Sequence, residues 1–196
     1  MLADLGRRVL SRRYRGAAGF TLIELMIAIT ILGVLTAFAL PNYSQWIANT
    51  RLRTAATGLQ NGLMLAKAEA IARNAKVQLV MTDTDPTVAN VGAVAPSATG
   101  RSWMVRLYHA NGVYVASDFI QGRSNAGDGA GTSVAAGQSG FVFTGAGGMS
   151  PIPAASLAIN VAGTGASRPL RVTLSPGSAI RMCDPALSIA TTTMGC

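Results

Sequence analysis

The stretch GFTLIELMIAITILGVLTAFALP, residues Gly19 to Pro41, decides how this chain is organised. Within it, residues 20–40 form an apolar run of 21 residues in which Glu24 is the only charged side chain. At about 1.5 Å of rise per residue, a helix of this length spans roughly 30 Å, the thickness of one hydrocarbon core. The run therefore predicts a transmembrane helix with a carboxylate just inside its N-terminal end.

Basic residues concentrate on the N-terminal side of this run. Five arginines precede it, against the single acidic residue Asp4: Arg7, Arg8, Arg12, Arg13 and Arg15. This asymmetry places the N-terminal end in the cytoplasm and the bulk of the chain across the membrane. The net charge of +8 is therefore partly a signal of membrane topology and only weakly a signal of nucleic-acid binding.

Small residues at positions 16–19 come before the apolar run, whereas a secretory signal peptide carries its cleavage site after the run. Cleavage after Gly19 would remove the arginines, keep the apolar helix and leave Phe20 as the new N-terminus. A carboxylate at the centre of a bilayer costs about 2.5–3.5 kcal/mol on insertion scales. Glu24 lies one turn inside the end, so its cost is smaller, but it still needs a partner. A tolerated interfacial charge is the alternative interpretation.

Residues 19–24, GFTLIE, resemble the prepilin processing motif of type IV pilins and type II secretion pseudopilins. The resemblance covers a basic leader, a glycine before the cut, a phenylalanine after it, a glutamate at mature position five and an apolar helix. It implies that a prepilin peptidase cuts after Gly19 and that Phe20 becomes N-methylated. It also implies that Glu24 neutralises the N-terminal ammonium of a neighbouring subunit during assembly. Pro41 stands where many such pilins carry a proline that kinks the helix.

The helical pattern continues beyond Pro41 and predicts one long helix over residues 20–73, amphipathic in its second half. Apolar residues recur there at steps of three or four, as on one face of a helix: Leu52, Ala55, Leu59, Leu63, Ala66 and Ala70. Asn74 is expected to cap the helix in a left-handed conformation. The predicted organisation is a basic leader (1–19), this helix (20–40 transmembrane) and a globular domain (74–196).

From Lys76 onwards the apolar period changes to two, which predicts β-strands. The expected strands cover residues 77–81, 103–109, 113–119, 140–144, 157–161, 170–174 and 179–183. Asn111-Gly112 and Pro176-Gly177 are expected hairpin turns. Two stretches rich in small residues, 86–100 and 122–140, are expected to be mobile surface loops. The predicted fold class is α+β, with a long, partly transmembrane N-terminal helix packed on a C-terminal antiparallel β domain.

The junction AKAEAIARNAKVQLV (residues 66–80) and the hairpin at residues 170–183 resemble the GspH/FimT branch of pilin-like proteins. This resemblance implies a minor pilin or pseudopilin that helps to initiate or cap assembly of a type IV pilus. The implied location is the inner membrane, in a single pass with the C-terminal domain in the periplasm, and then a filament or the cell surface. The implied partners are other major and minor pilins or pseudopilins, the prepilin peptidase and the inner membrane. A minor pseudopilin of type II secretion is the alternative, and the expected disulfide and the Pro-Gly hairpin favour the pilus.

Both cysteines, Cys183 and Cys196, lie on the exported side, where disulfides persist. A disulfide between them is therefore expected, with two free thiols as the alternative. An enzyme is not expected, because His109 is the only histidine and no catalytic, metal-binding or cofactor-binding spacing is present. Asp83 and Asp85 are interpreted as turn residues.

DNA is a further partner that the resemblance raises, because some members of the branch bind DNA in natural transformation through a Gly-Arg-x-Arg motif. The corresponding residues here, 178–181, retain only Arg181. Arg168 and Arg171 lie on the segment before these residues and offer a compensating basic patch. Such a patch requires that strand alternation does not send these arginines to opposite faces.

Overall fold

The structure is a computed structural model that describes residues 19–124 and 131–196, without the side chains of residues 38–42. Apart from Gly19, the expected leader lies outside the described residues. The chain divides into two compact units, residues 1–40 and residues 41–196. The globular unit therefore begins within the long helix rather than after it, because the second half of the helix contributes to the globular core.

A single helix, α1, spans Leu22–Arg73. It ends where Asn74 adopts a φ of 46°, and the Ala75 N–H there donates to the Ala70 carbonyl at 3.1 Å. The predicted left-handed cap is thus confirmed. Pro41 lies inside α1, and the predicted kink stays a prediction because the side chains around it are not described.

Among the residues that the structure describes, no helix meets the combined length and apolarity of a membrane span. The described side chains of α1 stop at residue 37 before resuming at residue 43. The transmembrane segment expected over residues 20–40 accordingly stays a prediction.

The buried face of α1 follows the predicted stripe closely. Five of the six predicted positions are buried, and Ala56 replaces the half-buried Ala55 as the sixth. Burying leucine and alanine along one face keeps the helix close to the sheets, since alanine adds little bulk. These residues form the helix side of one hydrophobic core.

Eight strands follow the helix. They are β1 (Val77–Thr82), β2 (Ser102–Leu107), β3 (Phe119–Arg123), β4 (Thr132–Ala136), β5 (Gly140–Phe143), β6 (Leu157–Gly163), β7 (Leu170–Leu174) and β8 (Ile180–Cys183). They form two four-stranded antiparallel sheets, with strand orders β3-β2-β1-β5 and β4-β6-β7-β8. Phe141 and Phe143 of the first sheet and Ile159 and Val172 of the second join α1 in the core. The predicted α+β class is confirmed.

The strand predicted at residues 113–119 is wrong in its position. Residues 116–118 form one turn of 3-10 helix, and β3 begins only at Phe119. The backbone is held out of strand geometry because the Asp118 carboxylate accepts a hydrogen bond from the Val115 N–H at 2.7 Å. The turn at Gly112 does form, with a φ of 71°, but it lies within a longer connection and does not join two strands directly.

The loop predicted over residues 122–140 is also wrong in part, because β4 lies inside it. Val134 is buried there and pairs with Val161 of β6. Likewise, the stretch 86–100 is more than a surface loop, since Val91 and Val94 are buried against Val80 and Met104. In both stretches the large apolar residues that become buried are valines. Many small residues surround them, so the sequence shows no clear alternation of apolar and polar residues.

The C-terminal tail is linked to the second sheet by a covalent bond and by hydrogen bonds. A disulfide joins Cys183 at the end of β8 to Cys196, as predicted. The Asp184 N–H also donates to the Met194 carbonyl at 2.8 Å. A closed loop of this size stabilises the folded chain by about 3 kcal/mol in the chain-entropy account.

Candidate functional site

The bond between Gly19 and Phe20 precedes the first turn of α1. Neither residue is helical, and Phe20 is 84% exposed. Apart from its chain neighbours, no described residue has an atom within 4 Å of the place that a Cβ of Gly19 would occupy. Cleavage of this bond stays a prediction.

Thr21 begins the helix. Its hydroxyl oxygen accepts a hydrogen bond from the Glu24 N–H at 3.2 Å, and its carbonyl accepts one from the Leu25 N–H at 3.1 Å. A threonine followed three residues later by a glutamate is the sequence signature of a capping box. The pilin resemblance does not assign a role to Thr21. The Thr-x-x-Glu spacing in the sequence nevertheless indicates that Thr21 caps the helix.

Glu24 lies in the first turn of α1 and forms no ion pair with any residue in the described part of the chain. Its neighbours on the helix are large, exposed apolar residues: Leu22, Ile23, Leu25, Met26 and Ile27. The partial positive charge of the helix N-terminus favours a carboxylate at this position by about 0.3–1 kcal/mol. That contribution is smaller than the cost of holding the carboxylate in lipid. Glu24 thus lies on an apolar surface and has no ion-pair partner among the described residues.

Arg171 on β7 and Arg181 on β8 lie on the same face of the second sheet. Thr173 is the register partner of Arg181, and Arg171 is two residues from Thr173, so all three point to one side. The opposite side carries the buried Val172 and Leu174. Strand alternation therefore does not separate these two arginines.

Both guanidinium groups already have hydrogen-bond partners. Arg171 Nε donates to Asn160 Oδ1 at 2.7 Å, and Arg181 Nη2 donates to the Thr193 carbonyl at 3.4 Å. Each arginine retains further N–H donors. The pair can therefore contact an anion while keeping these bonds.

Arg168 occupies a different setting, in the connection before β7. Together with Arg53 of α1 it lines a cleft of about 310 Å³. The remaining lining is largely apolar: Leu52, Leu170, Met182, Leu187 and Met194. Arg171 and Arg181 thus share one face of the second sheet, whereas Arg168 and Arg53 both line the cleft.

His109 belongs to a polar cluster that fixes the connection between β2 and β3. Its Nε2 lies 3.0 Å from Asp118 Oδ1. The hydrogen bonds from His109 and from the Val115 N–H lower the pKa of the buried Asp118. Close by in sequence, the guanidinium of the buried Arg106 lies 3.6 Å from the ring centre of Tyr114. No sequence motif predicts this cluster, because the conformation of the long connection between β2 and β3 brings its members together.

Comparison with known proteins identifies the family of this chain. Residues 55–178, more than half of the chain, match the family described as type II transport protein GspH. The chain belongs to the GspH family. Residues 14–40 additionally match the prokaryotic N-terminal methylation motif. The predicted membership in the GspH/FimT branch of pilin-like proteins is confirmed, and this is a family of structural pilins.

Relatives of this GspH family member include fimbrial proteins of Dichelobacter nodosus. The type IV major fimbrial protein FimA is 40% identical over 74 residues, which cover 38% of this chain and 43% of FimA. A second fimbrial protein is 35% identical over 107 residues, which cover 55% of this chain and 61% of that protein. The chain thus spans less than two thirds of the length of these relatives.

A solved structure shows the same fold. The type IV minor pilin FimU of Pseudomonas aeruginosa matches with a TM-score of 0.52 and 13% identity, over 68% of this chain and 88% of that chain. At this identity the similarity concerns the fold alone.

Proposed function

We propose that this GspH family member is a minor pilin that inserts into the inner membrane by its N-terminal helix. There it helps to initiate or cap assembly of a type IV pilus. The observation that carries the proposal is Glu24, an exposed carboxylate without an ion-pair partner in the described chain. It follows shortly after the bond between Gly19 and the exposed Phe20.

Cleavage of this bond by a prepilin peptidase would create an ammonium group on Phe20, which the peptidase would then methylate. A carboxylate and an ammonium in contact within an apolar assembly stabilise each other far more than either is stabilised alone in lipid. Within one subunit, the Phe20 ammonium lies beside its own apolar helix. Pairing with Glu24 of a neighbouring subunit therefore favours entry into a filament with other pilins.

The test compares the only two glutamates of the chain. Glu24→Gln removes the unpaired charge with little change in shape, and the matched control Glu69→Gln removes the glutamate that pairs with Arg73 at 2.6 Å. We expect Glu24→Gln to accumulate in the membrane as the wild type does but to be depleted from sheared filament fractions. Glu69→Gln should enter filaments normally. Equal recovery of Glu24→Gln and wild type in sheared filaments would contradict the proposal.

A minor pseudopilin of type II secretion is the second candidate, favoured by the match to the GspH family. Deletion of the gene in the native host separates the two. Loss of surface pili with normal protein secretion supports the pilus subunit, whereas retained pili with secreted enzymes trapped in the periplasm supports the pseudopilin.

A DNA-binding minor pilin is a third candidate, favoured by the shared face of Arg171 and Arg181. Two guanidinium groups on one sheet face present a small cationic surface to a phosphate backbone.

A further inference from the structure

Tyr43 and Trp46 form an exposed aromatic pair on α1. Their ring centres lie 6.0 Å apart with 27° between the ring planes, and the side chains are 60% and 62% exposed. Neither ring's polar group hydrogen-bonds to another residue in the described part of the chain. The other tryptophan, Trp103, is only 6% exposed and packs in the core.

The sequence around this pair lacks acidic side chains. No aspartate or glutamate occurs between Glu24 and Glu69, whereas Arg51 and Arg53 follow the pair, and both arginines are exposed. This part of the helix surface therefore combines large amphipathic rings with positive charge. Such a surface is complementary to an apolar layer that is bordered by anionic groups.

We propose that the Tyr43–Trp46 pair docks into the headgroup layer of the membrane on the exported side, and the inference rests on the membrane insertion proposed above. Tyr43 and Trp46 follow Leu40, the last residue of the apolar run, by three and six residues. At about 1.5 Å per residue this corresponds to about 5–9 Å of helix. The headgroup layer on one side of a bilayer is about 5–8 Å thick.

The chemistry of the two rings selects the headgroup layer over the hydrocarbon core. Tryptophan and tyrosine concentrate at membrane–water interfaces because the ring prefers an apolar setting while the indole N–H and phenolic O–H need polar partners. Headgroup phosphates, ester oxygens and water supply those partners. Arg51 and Arg53 lie further along the helix, at about 17 and 20 Å beyond Leu40 for a rise of 1.5 Å per residue, and add an attraction to anionic lipids that salt screens.

Trp46 reports on its own environment, so the experiment uses the full chain in vesicles of phosphatidylethanolamine and phosphatidylglycerol. One vesicle set carries bromine near the headgroup end of the acyl chains, and another carries bromine near their terminal methyl groups. Subtracting the emission of Trp46→Phe from that of the wild type isolates Trp46, and the substitution lies at an exposed site. We expect emission at shorter wavelength than in water and stronger quenching by the shallow bromines than by the deep ones.

Trp103 provides the internal control, because its residual emission in Trp46→Phe should be unaffected by either bromine position. Flotation of wild-type protein with vesicles, combined with an unquenched Trp46, overturns this inference while leaving membrane insertion intact and assigns the pair to a protein partner. Stronger quenching by the deep bromines also overturns it. Failure of the wild type to float with vesicles overturns the membrane insertion itself, so the two failures are distinguishable.

Discussion

The two glutamates of α1 show how strongly the energetic role of a carboxylate depends on its surroundings. Glu69 pairs with Arg73 four residues later, an arrangement that contributes about 0.2–0.5 kcal/mol to a helix. Glu24 lies at the helix N-terminus, which favours a carboxylate, and has no ion-pair partner among the described residues. The sequence indicated this difference, because a carboxylate in an apolar run is costly and one on a polar helix face is not.

At the same end of the helix, Gly19 is predicted to be indispensable for processing because of its position before the cut. Gly19→Val should leave the leader attached, so that intact-mass analysis of protein from the native host shows the full chain. The wild type should lose residues 1–19 and gain a methyl group on Phe20. Gly33→Val is the matched control, since both glycines have open space around the position of a Cβ, and it should be processed normally. Wild-type protein that retains its arginines would contradict the pilin assignment.

Asp118 is predicted to stabilise the folded chain in a pH-dependent way. Hydrogen bonds from His109 and from the Val115 N–H lower the pKa of its carboxyl, relative to about 3.9 in an unfolded chain. A lowered pKa in the folded state gives stability that is present above the unfolded pKa and lost as the pH falls through the folded pKa. Asp118→Asn should therefore reduce the free energy of unfolding by about 1–3 kcal/mol at neutral pH.

Denaturant titrations of the full chain in detergent measure this effect. The difference between Asp118→Asn and wild type should shrink as the pH falls below about 4, where the carboxyl of the unfolded chain begins to protonate, and should continue to shrink through the lower pKa of the folded state. Asp83→Asn, at an exposed aspartate, should change the stability little at any pH. A constant difference between Asp118→Asn and wild type down to low pH would show that the charge is not the stabilising feature.

At the scale of elements, the strands were predictable where large apolar residues alternate over a full strand, as in β1, β6 and β7. The prediction failed where a strand has a single buried anchor. In β4 only Val134 reaches the core as a large apolar side chain, and its pairing with β6 is a long-range interaction that local composition does not encode. The start of β3 was predicted wrongly for a different reason. Apolar and polar residues alternate well there, but the hydrogen bond that the buried Asp118 accepts from the Val115 N–H holds the backbone in a turn.

Two glycines on α1 give a matched prediction about the packing of the helix on the first sheet. A Cβ on Gly62 would lie 2.9 Å from the Trp103 ring and 3.0 Å from Leu79, and both side chains are buried. A Cβ on Gly58 would instead meet the guanidinium end of Arg123, a long side chain that can adjust. Alanine favours a helix over glycine by about 0.8–1.0 kcal/mol.

Gly58→Ala should therefore leave the stability unchanged or raise it by up to about 1 kcal/mol. Gly62→Ala should lower it by about 1 kcal/mol or more, because overpacking a rigid core outweighs the gain in helix propensity. Thermal or denaturant unfolding of both variants decides between these outcomes. Stabilisation by both alanines would mean that the helix and the sheet have room to separate.

At the scale of the whole molecule, the sequence predicted the fold class because the helix stripe and the alternation in most strands depend on local spacing, whereas the assembly role of Glu24 stays a prediction. Glu24 lies within the first turn of α1, and the buried helix stripe repeats at steps of three or four residues. The grouping of the arginines was not predictable, since it depends on the register between β7 and β8 and on the approach of Arg53 to Arg168. Register follows from side-chain packing across strands, which a single strand's sequence does not specify.

DNA binding is the property that depends most on the molecule as a whole. From Asn42 onwards the chain carries 11 basic and 6 acidic residues, an excess that attracts DNA at low salt. If Arg171 and Arg181 act as a specific pair, they contribute a log–log salt slope of about −1.8 on duplex DNA, the value for two neutralised phosphates. Both guanidinium groups are already engaged with Asn160 and Thr193, which limits the donors left for phosphate.

We therefore expect weak binding that is lost at physiological salt. The double variant Arg171→Gln/Arg181→Gln removes the sheet pair, and Arg51→Gln/Arg53→Gln removes two exposed helix charges as a matched control. Gel shifts of the full chain in detergent across a salt series should show equal, small losses for both double variants, because a diffuse charge excess does not depend on which two arginines are removed. Binding that persists at physiological salt and is lost only when Arg171 and Arg181 are replaced would instead make this chain a DNA receptor.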